Sequence, residues 1–174
     1  MNLLVHFKSK KIYFLNKHNF IFLFIIGVTF LLDRISKIKI INNFDEKTYF
    51  VNEYINFDLI WNIGIGFGLL SADSSIFYKI ITLIIGIVIL FLIYISVKSE
   101  KFEKYFFALV IGGALGNFYD RLVYKAVPDF IDLHYGNFHW FTFNVADIFI
   151  CLGVIFMILI EFIDNNKTKF NEKN

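Results

Sequence analysis

Four hydrophobic runs, each close to the length a helix needs to cross a bilayer, dominate this chain. They extend from about Asn19 to Ile41, Ile76 to Val97, Tyr105 to Leu122 and Val145 to Ile163. A helix spans the hydrocarbon with roughly 20 residues, and a backbone in lipid must satisfy its own hydrogen bonds, which favours helices. Composition points the same way. Of 174 residues 57% are apolar and 20% aromatic, and only 18% are charged, too few to cover that much apolar surface in water. The fold class expected is an all-α membrane protein of four transmembrane helices, carrying a small extracytoplasmic sheet. A net charge of +2 is too small to suggest a nucleic-acid partner. The first run is followed by "DRISK" rather than a small-residue cleavage site, so it does not read as a cleaved signal peptide. Cys151 stands alone in an apolar run, which leaves no disulfide framework and suggests a small buried hydrophobe.

Loop charges orient the spans. Ten of the seventeen Lys and Arg residues lie in 1–18, 98–104 and the C-terminal tail, which the positive-inside rule makes cytoplasmic. The expected organisation is a cytoplasmic tail over 1–18, a four-span domain over 19–164 and a cytoplasmic tail over 165–174. Segments 42–75 and 123–144 then face outward. "TYFVNEYINFDLIW" is partly alternating and β-prone, and "LHYGNFHWFTF" is rich in aromatics, so a sheet on the membrane surface is expected there.

With this topology the polar groups share one depth. Asp33 falls near the outer end of span one, Asn117, Asp120 and Arg121 at the outer end of span three, and Asn144 and Asp147 at the start of span four. Ionisable groups in a membrane are expensive and mark pathways or sites. Each also has a plainer role. Asn144 can cap span four, with Asp147 favoured in its first turn. Asp120 and Arg121 can form an interfacial ion pair, and Asp33 can pair with a nearby Lys or Arg. Gly112 and Gly116 have the GxxxG spacing of close helix packing. Asp132 reads as solvated, and the spacing of His134 and His139 matches no zinc signature, so no metal or other cofactor is expected. Asp129 and Asp147, eighteen residues apart, would share a proton if brought together in a low dielectric. One could then activate water while the other hydrogen-bonds the carbonyl under attack. A small transporter or channel subunit, with polar residues lining an ion path, is the competing class; a non-catalytic scaffold is a third.

The ordered set "DRISK" (33–37), "NIGIGF" (62–67), "GGALGNFYDR" (112–121), "VPDFID" (127–132) and "FNVAD" (143–147) resembles lipoprotein signal peptidase, or signal peptidase II, over about residues 30 to 150. The resemblance implies a bacterial membrane-embedded aspartic endopeptidase with four helices and an extracytoplasmic β-cradle. Such an enzyme cleaves prolipoproteins on the amino side of a diacylglyceryl-modified cysteine. By motif its catalytic dyad falls on Asp129 and Asp147, with Asp120 supporting Arg121 or the helix end. Asn62, Asn117, Arg121 and Asn144 then become donors to an extended substrate, and Asp33 orients neighbouring donors or backbone. Gly66 stands where the family commonly has Ala. The implied partners are diacylglyceryl prolipoproteins and membrane lipids, and the implied working unit is a monomer in the bacterial cytoplasmic membrane with both termini inside.

Overall fold

The computed structural model describes residues 17–43, 48–64, 74–99 and 102–171. Residues 1–16 of the N-terminal tail, the Gly66 half of "NIGIGF" and the last three residues lie outside the described residues. Each hydrophobic run is a helix: α1 (Lys17–Asn43), α2 (Ser74–Lys98), α3 (Glu103–Val123) and α4 (Val145–Asn171). Most overrun the apolar stretch by a residue or two, because backbone hydrogen bonding does not stop where the apolar side chains do. α4 continues well past residue 164, where a tail was expected. Its "DNNKTKFN" end has no Pro or Gly to stop it.

Among the described residues, three helices are long and apolar enough to cross a membrane: Tyr78–Lys98 within α2, α3 itself, and Val145–Ile163 within α4. α1 is as long as α4, but Asp33, Arg34 and Lys37 interrupt its second half, and all three are buried inside the protein. The membrane bundle is therefore turned inside out. Leu83, Ile87, Leu90 and Phe91 of α2 and Ile155, Ile158 and Leu159 of α4 are exposed, while the buried set is rich in charge. Cys151, expected to be buried, is exposed; in a helix bathed by lipid, an apolar side chain gains nothing by facing inward.

α3 is the central helix, packing against α1, α2 and α4. Its glycines make this possible. A Cβ on Gly112 would meet Thr29 and the Ile26 carbonyl of α1, and one on Gly113 would meet the Ala146 carbonyl of α4. Phe22, Ala108 and Ile111 form the buried apolar contact below the polar level.

The outer segments build one antiparallel sheet in the order β1 (Tyr49–Asn52), β2 (Ile55–Asn62), β3 (Val127–Tyr135) and β4 (Phe138–Phe143). β3 is its buried strand. Pro128 is tolerated because pairing with β4 begins only at Ile131, leaving β2 alone beside it. The register of β2 on β3 shifts by one between Phe57 and Ile60, so that Ile60 faces Asp129 and Asn62 faces Val127. An inserted residue reverses which face the following side chains take. Asn62 thereby shares a face with Asp129, one diagonal away.

Candidate active site

α4 begins where β4 ends, and the turn between them is a single residue. Asn144 is the N-cap of α4: its Oδ1 accepts the Asp147 N–H at 3.1 Å, while Asp147 Oδ2 accepts the Asn144 N–H at 3.1 Å. This is a reciprocal capping box, satisfying two donors that a helix start leaves unpaired. The cap leaves the Asn144 amide nitrogen free to point elsewhere. It donates to Asp129 Oδ1 on β3, at 2.6 Å. One fully buried side chain thus binds both aspartates. The capping that the sequence suggested for Asn144 is present, and it leaves the same side chain able to bond Asp129.

Every oxygen of the two carboxylates faces an N–H. Asp129 Oδ2 accepts from Asn62 Nδ2 at 2.8 Å, and the Asn62 oxygen is occupied by the Gly64 N–H, which fixes the amide's direction. Asp147 Oδ1 accepts from Asn117 Nδ2 at 2.8 Å. Burial raises the Asp129 carboxyl above its ordinary value. The amides of Asn62 and Asn144 oppose that shift, the charge of Asp147 adds to it, and Lys37 draws it back.

Behind this pair lies a buried ionic cluster. Lys37, with no exposed surface, donates to Asp33 Oδ2 at 2.9 Å, Asn117 Oδ1 at 2.7 Å and Asp120 Oδ2 at 2.7 Å. Asp120 also takes Arg34, whose guanidinium lies 4.7 Å over the Tyr119 ring. Two cations and two anions balance, which burial requires. Asp33 Oδ1 accepts the Ala146 N–H at 3.0 Å, satisfying another unpaired donor at the start of α4.

Most of the expected residues therefore join one continuous network: Asp33, Asp120, Asn117, Asp147, Asn144, Asp129 and Asn62. Arg121 joins it only through backbone. Its Nη1 donates to the Asn117 carbonyl at 3.0 Å, and its own carbonyl accepts from Tyr78 at 3.1 Å. The expected Asp120–Arg121 pair does not form; successive residues on a helix do not face each other, and Asp120 turns inward to α1. Asp132 is a second correction. It is buried, not solvated, and its Oδ2 lies 2.7 Å from His139 Nδ1 and 3.6 Å from His134 Nδ1. The sequence reading paired Asp33 with a nearby Lys or Arg, and Lys37 is that partner, but it did not foresee that Lys37 and Arg34 both reach Asp120 on α3. The signal for the first pair was Lys37 four residues after Asp33, a spacing at which side chains on a helix meet.

The comparisons with known proteins fit this geometry. A family model described as Signal peptidase (SPase) II matches residues 25–163. The chain is 51% identical over 161 residues to a lipoprotein signal peptidase of Pelagibacter ubique, covering 91% of this chain and 96% of that protein. It is 41% identical over 122 residues to one of Francisella tularensis subsp. novicida, covering 68% and 76%. A solved bacterial membrane enzyme, determined by the in meso method at 2.3 Å, aligns with a TM-score of 0.67 and 30% identity over 84% of this chain and 90% of that one. A second, at 1.9 Å, aligns with a TM-score of 0.68 and 29% identity over 80% and 90%. On its motifs, its sheet-on-bundle architecture and these matches, the chain belongs to the signal peptidase II family and is a membrane-bound bacterial lipoprotein signal peptidase.

Proposed function

We propose that Asp129 and Asp147 are the catalytic pair, cutting a prolipoprotein on the amino side of its diacylglyceryl-modified cysteine. The observation that carries this reading is Asn144, which binds both carboxylates at once, Asp129 through its side-chain amide and Asp147 through its backbone N–H. Two carboxyls so close share one proton, and burial favours Asp129 as its holder. Asp147 then takes a proton from water as the water oxygen attacks the scissile carbonyl carbon. Asp129 passes its proton to the carbonyl oxygen. When the tetrahedral intermediate collapses, the C–N bond breaks, the leaving nitrogen takes the proton held by Asp147, and one hydroxyl of the new carboxyl group returns its proton to Asp129, restoring the pair. Asn62, Asn117 and Asn144 keep the carboxyls aimed, and Arg121, whose guanidinium makes one bond among the described residues, to its own helix, has donors left for an extended substrate.

The same reading makes α1 the fourth span. Its Asp33, Arg34 and Lys37 point inward, and Phe20, Leu23, Phe24, Val28, Leu31, Leu32, Ile35 and Ile38 are exposed to the surroundings. Four spans with the basic loops inside put both termini in the cytoplasm and the pair at the outer surface. The sheet then lies at the interface, where exposed Trp61 and Trp140 suit the headgroups. The apolar faces of α2, α3 and α4 remain open to lipid and to the substrate's acyl chains.

The test uses purified protein and a diacylglyceryl prolipoprotein. Because each carboxylate oxygen already faces an N–H donor, turnover is expected to survive chelators, and Cys151→Ala is expected to cleave normally. Loss of turnover with a chelator, restored by added zinc, would overturn the aspartic mechanism.

A further inference from the structure

Lys37 does more than the balance of charge requires. Its ammonium carries three donors and no acceptor. Two of the donors go to Asp33 and Asp120, and the third goes to a neutral group, the Asn117 amide oxygen at 2.7 Å. An amide has two ends, and a carboxylate would accept from only one of them. With Lys37 fixed on one side, the Asn117 oxygen must face the ammonium and its nitrogen must face away, toward Asp147 Oδ1 at 2.8 Å. The reverse orientation would set N–H against ammonium and oxygen against carboxylate, two repulsive contacts in a buried site. The Asp147 carboxylate is thereby held from two directions, by Asn117 on Oδ1 and by the Asn144 backbone on Oδ2.

We infer that Lys37 is a positioning residue for the cleavage reaction, acting through the orientation of Asn117 on Asp147. This rests on the reading of Asp147 as one of the catalytic pair. The charged groups around Lys37 are Asp33 and Arg34 on α1 and Asp120 on α3, with Asp129 and Asp147 on the far side of the amides. Of the three groups that accept from the ammonium, Asn117 is the one whose side chain also bonds the Asp147 carboxylate; Asp33 reaches the neighbouring backbone, at the Ala146 N–H. Support for a reacting group by a locked neighbour acts on the chemical step more than on substrate binding.

The test must keep the cluster neutral, since removing Lys37 alone strands a buried charge. The double variant Lys37→Met/Asp33→Asn removes one cation and one anion and leaves the Arg34–Asp120 pair intact. Folded protein is scored by its melting transition in detergent, and cleavage of a diacylglyceryl prolipoprotein gives kcat and KM per folded molecule. The double variant is expected to lose about tenfold or more in kcat with KM changed by less than about twofold, the size expected for one misplaced charge-assisted hydrogen bond. In an Asn117→Ala background the same pair of changes is expected to cost less than about twofold more. A folded double variant with wild-type kcat would overturn the inference and leave Lys37 as a counter-ion. A full additional loss in the Asn117→Ala background would overturn the route through Asn117. Asn117→Leu is read alongside: close to Asn in shape and uncharged, it neither accepts from Lys37 nor donates to Asp147, so wild-type kcat there also overturns the inference, whatever the double variant does. Asp147→Asn in the same assay separates the two claims. If it still turns over, the catalytic reading has failed; if it is dead while the double variant is fully active, only the inference about Lys37 has.

Discussion

Asn62 controls the proton on Asp129 from the neighbouring strand. Its N–H stabilises the ionised carboxylate and so lowers a carboxyl that burial raises. Removing that donor leaves burial less opposed, and the proton stays on Asp129 to higher pH. If Asp129 is the acid of the pair, Asn62→Ala moves the basic limb of the kcat profile upward in pH; an unmoved limb, or one moved downward, would contradict that assignment. Several of these roles were legible in the sequence. Asn144 followed three residues later by Asp147 spells a capping box, and "VPDF" and "FNVAD" carried the aspartates by motif. The cluster behind them was not. Arg34 and Lys37 read as basic residues at the end of a span, because their partner Asp120 lies more than 80 residues away and no local pattern announces it. Asp132 failed for the same reason, its buried surroundings being made by strand pairing.

Helix α3 brings α1 and α4 into register only because it lacks side chains where they cross. A Cβ on Gly116 would run into the Asp33 carboxylate, which Lys37 and the Ala146 N–H hold in place. Gly116→Ala is therefore expected to destabilise the protein by roughly 1–3 kcal/mol, the usual cost of overpacking a tight contact. Gly27 is the control. A Cβ there meets nothing within 4 Å, and Gly27→Ala should leave the melting temperature unchanged or raise it. Equal melting temperatures for the two variants, measured in detergent, would contradict this account of the α1–α3 contact. Four apolar runs became four helices with ends within two residues of those read from the sequence, except that α4 runs on to Asn171. The bulge in β2 was not, though it decides which face Asn62 takes; it follows from the fit of two strands far apart in sequence.

The molecule as a whole puts its charge inside and its apolar surface outside. The buried charges of α1, Asp33, Arg34 and Lys37, are tied at one level to each other and to Asp120 of α3, whereas a conduit needs polar groups along its length. The proposed orientation is open to labelling. In a Cys151→Ala background, Phe138→Cys on the exposed β4 is expected to react with an impermeant thiol reagent in intact spheroplasts, and Ser99→Cys only after lysis. The opposite pattern would invert the topology. The central claim is that two aspartates, held by one asparagine, act as a unit on the scissile bond. Its most direct measurement is the single-turnover rate of Asp129→Asn, Asp147→Asn and the double variant on one diacylglyceryl prolipoprotein, with folded protein confirmed for each. Either single change is expected to remove almost all cleavage, with the double variant no worse than the singles. Near-normal turnover by either single variant, or losses that multiply in the double, would contradict it.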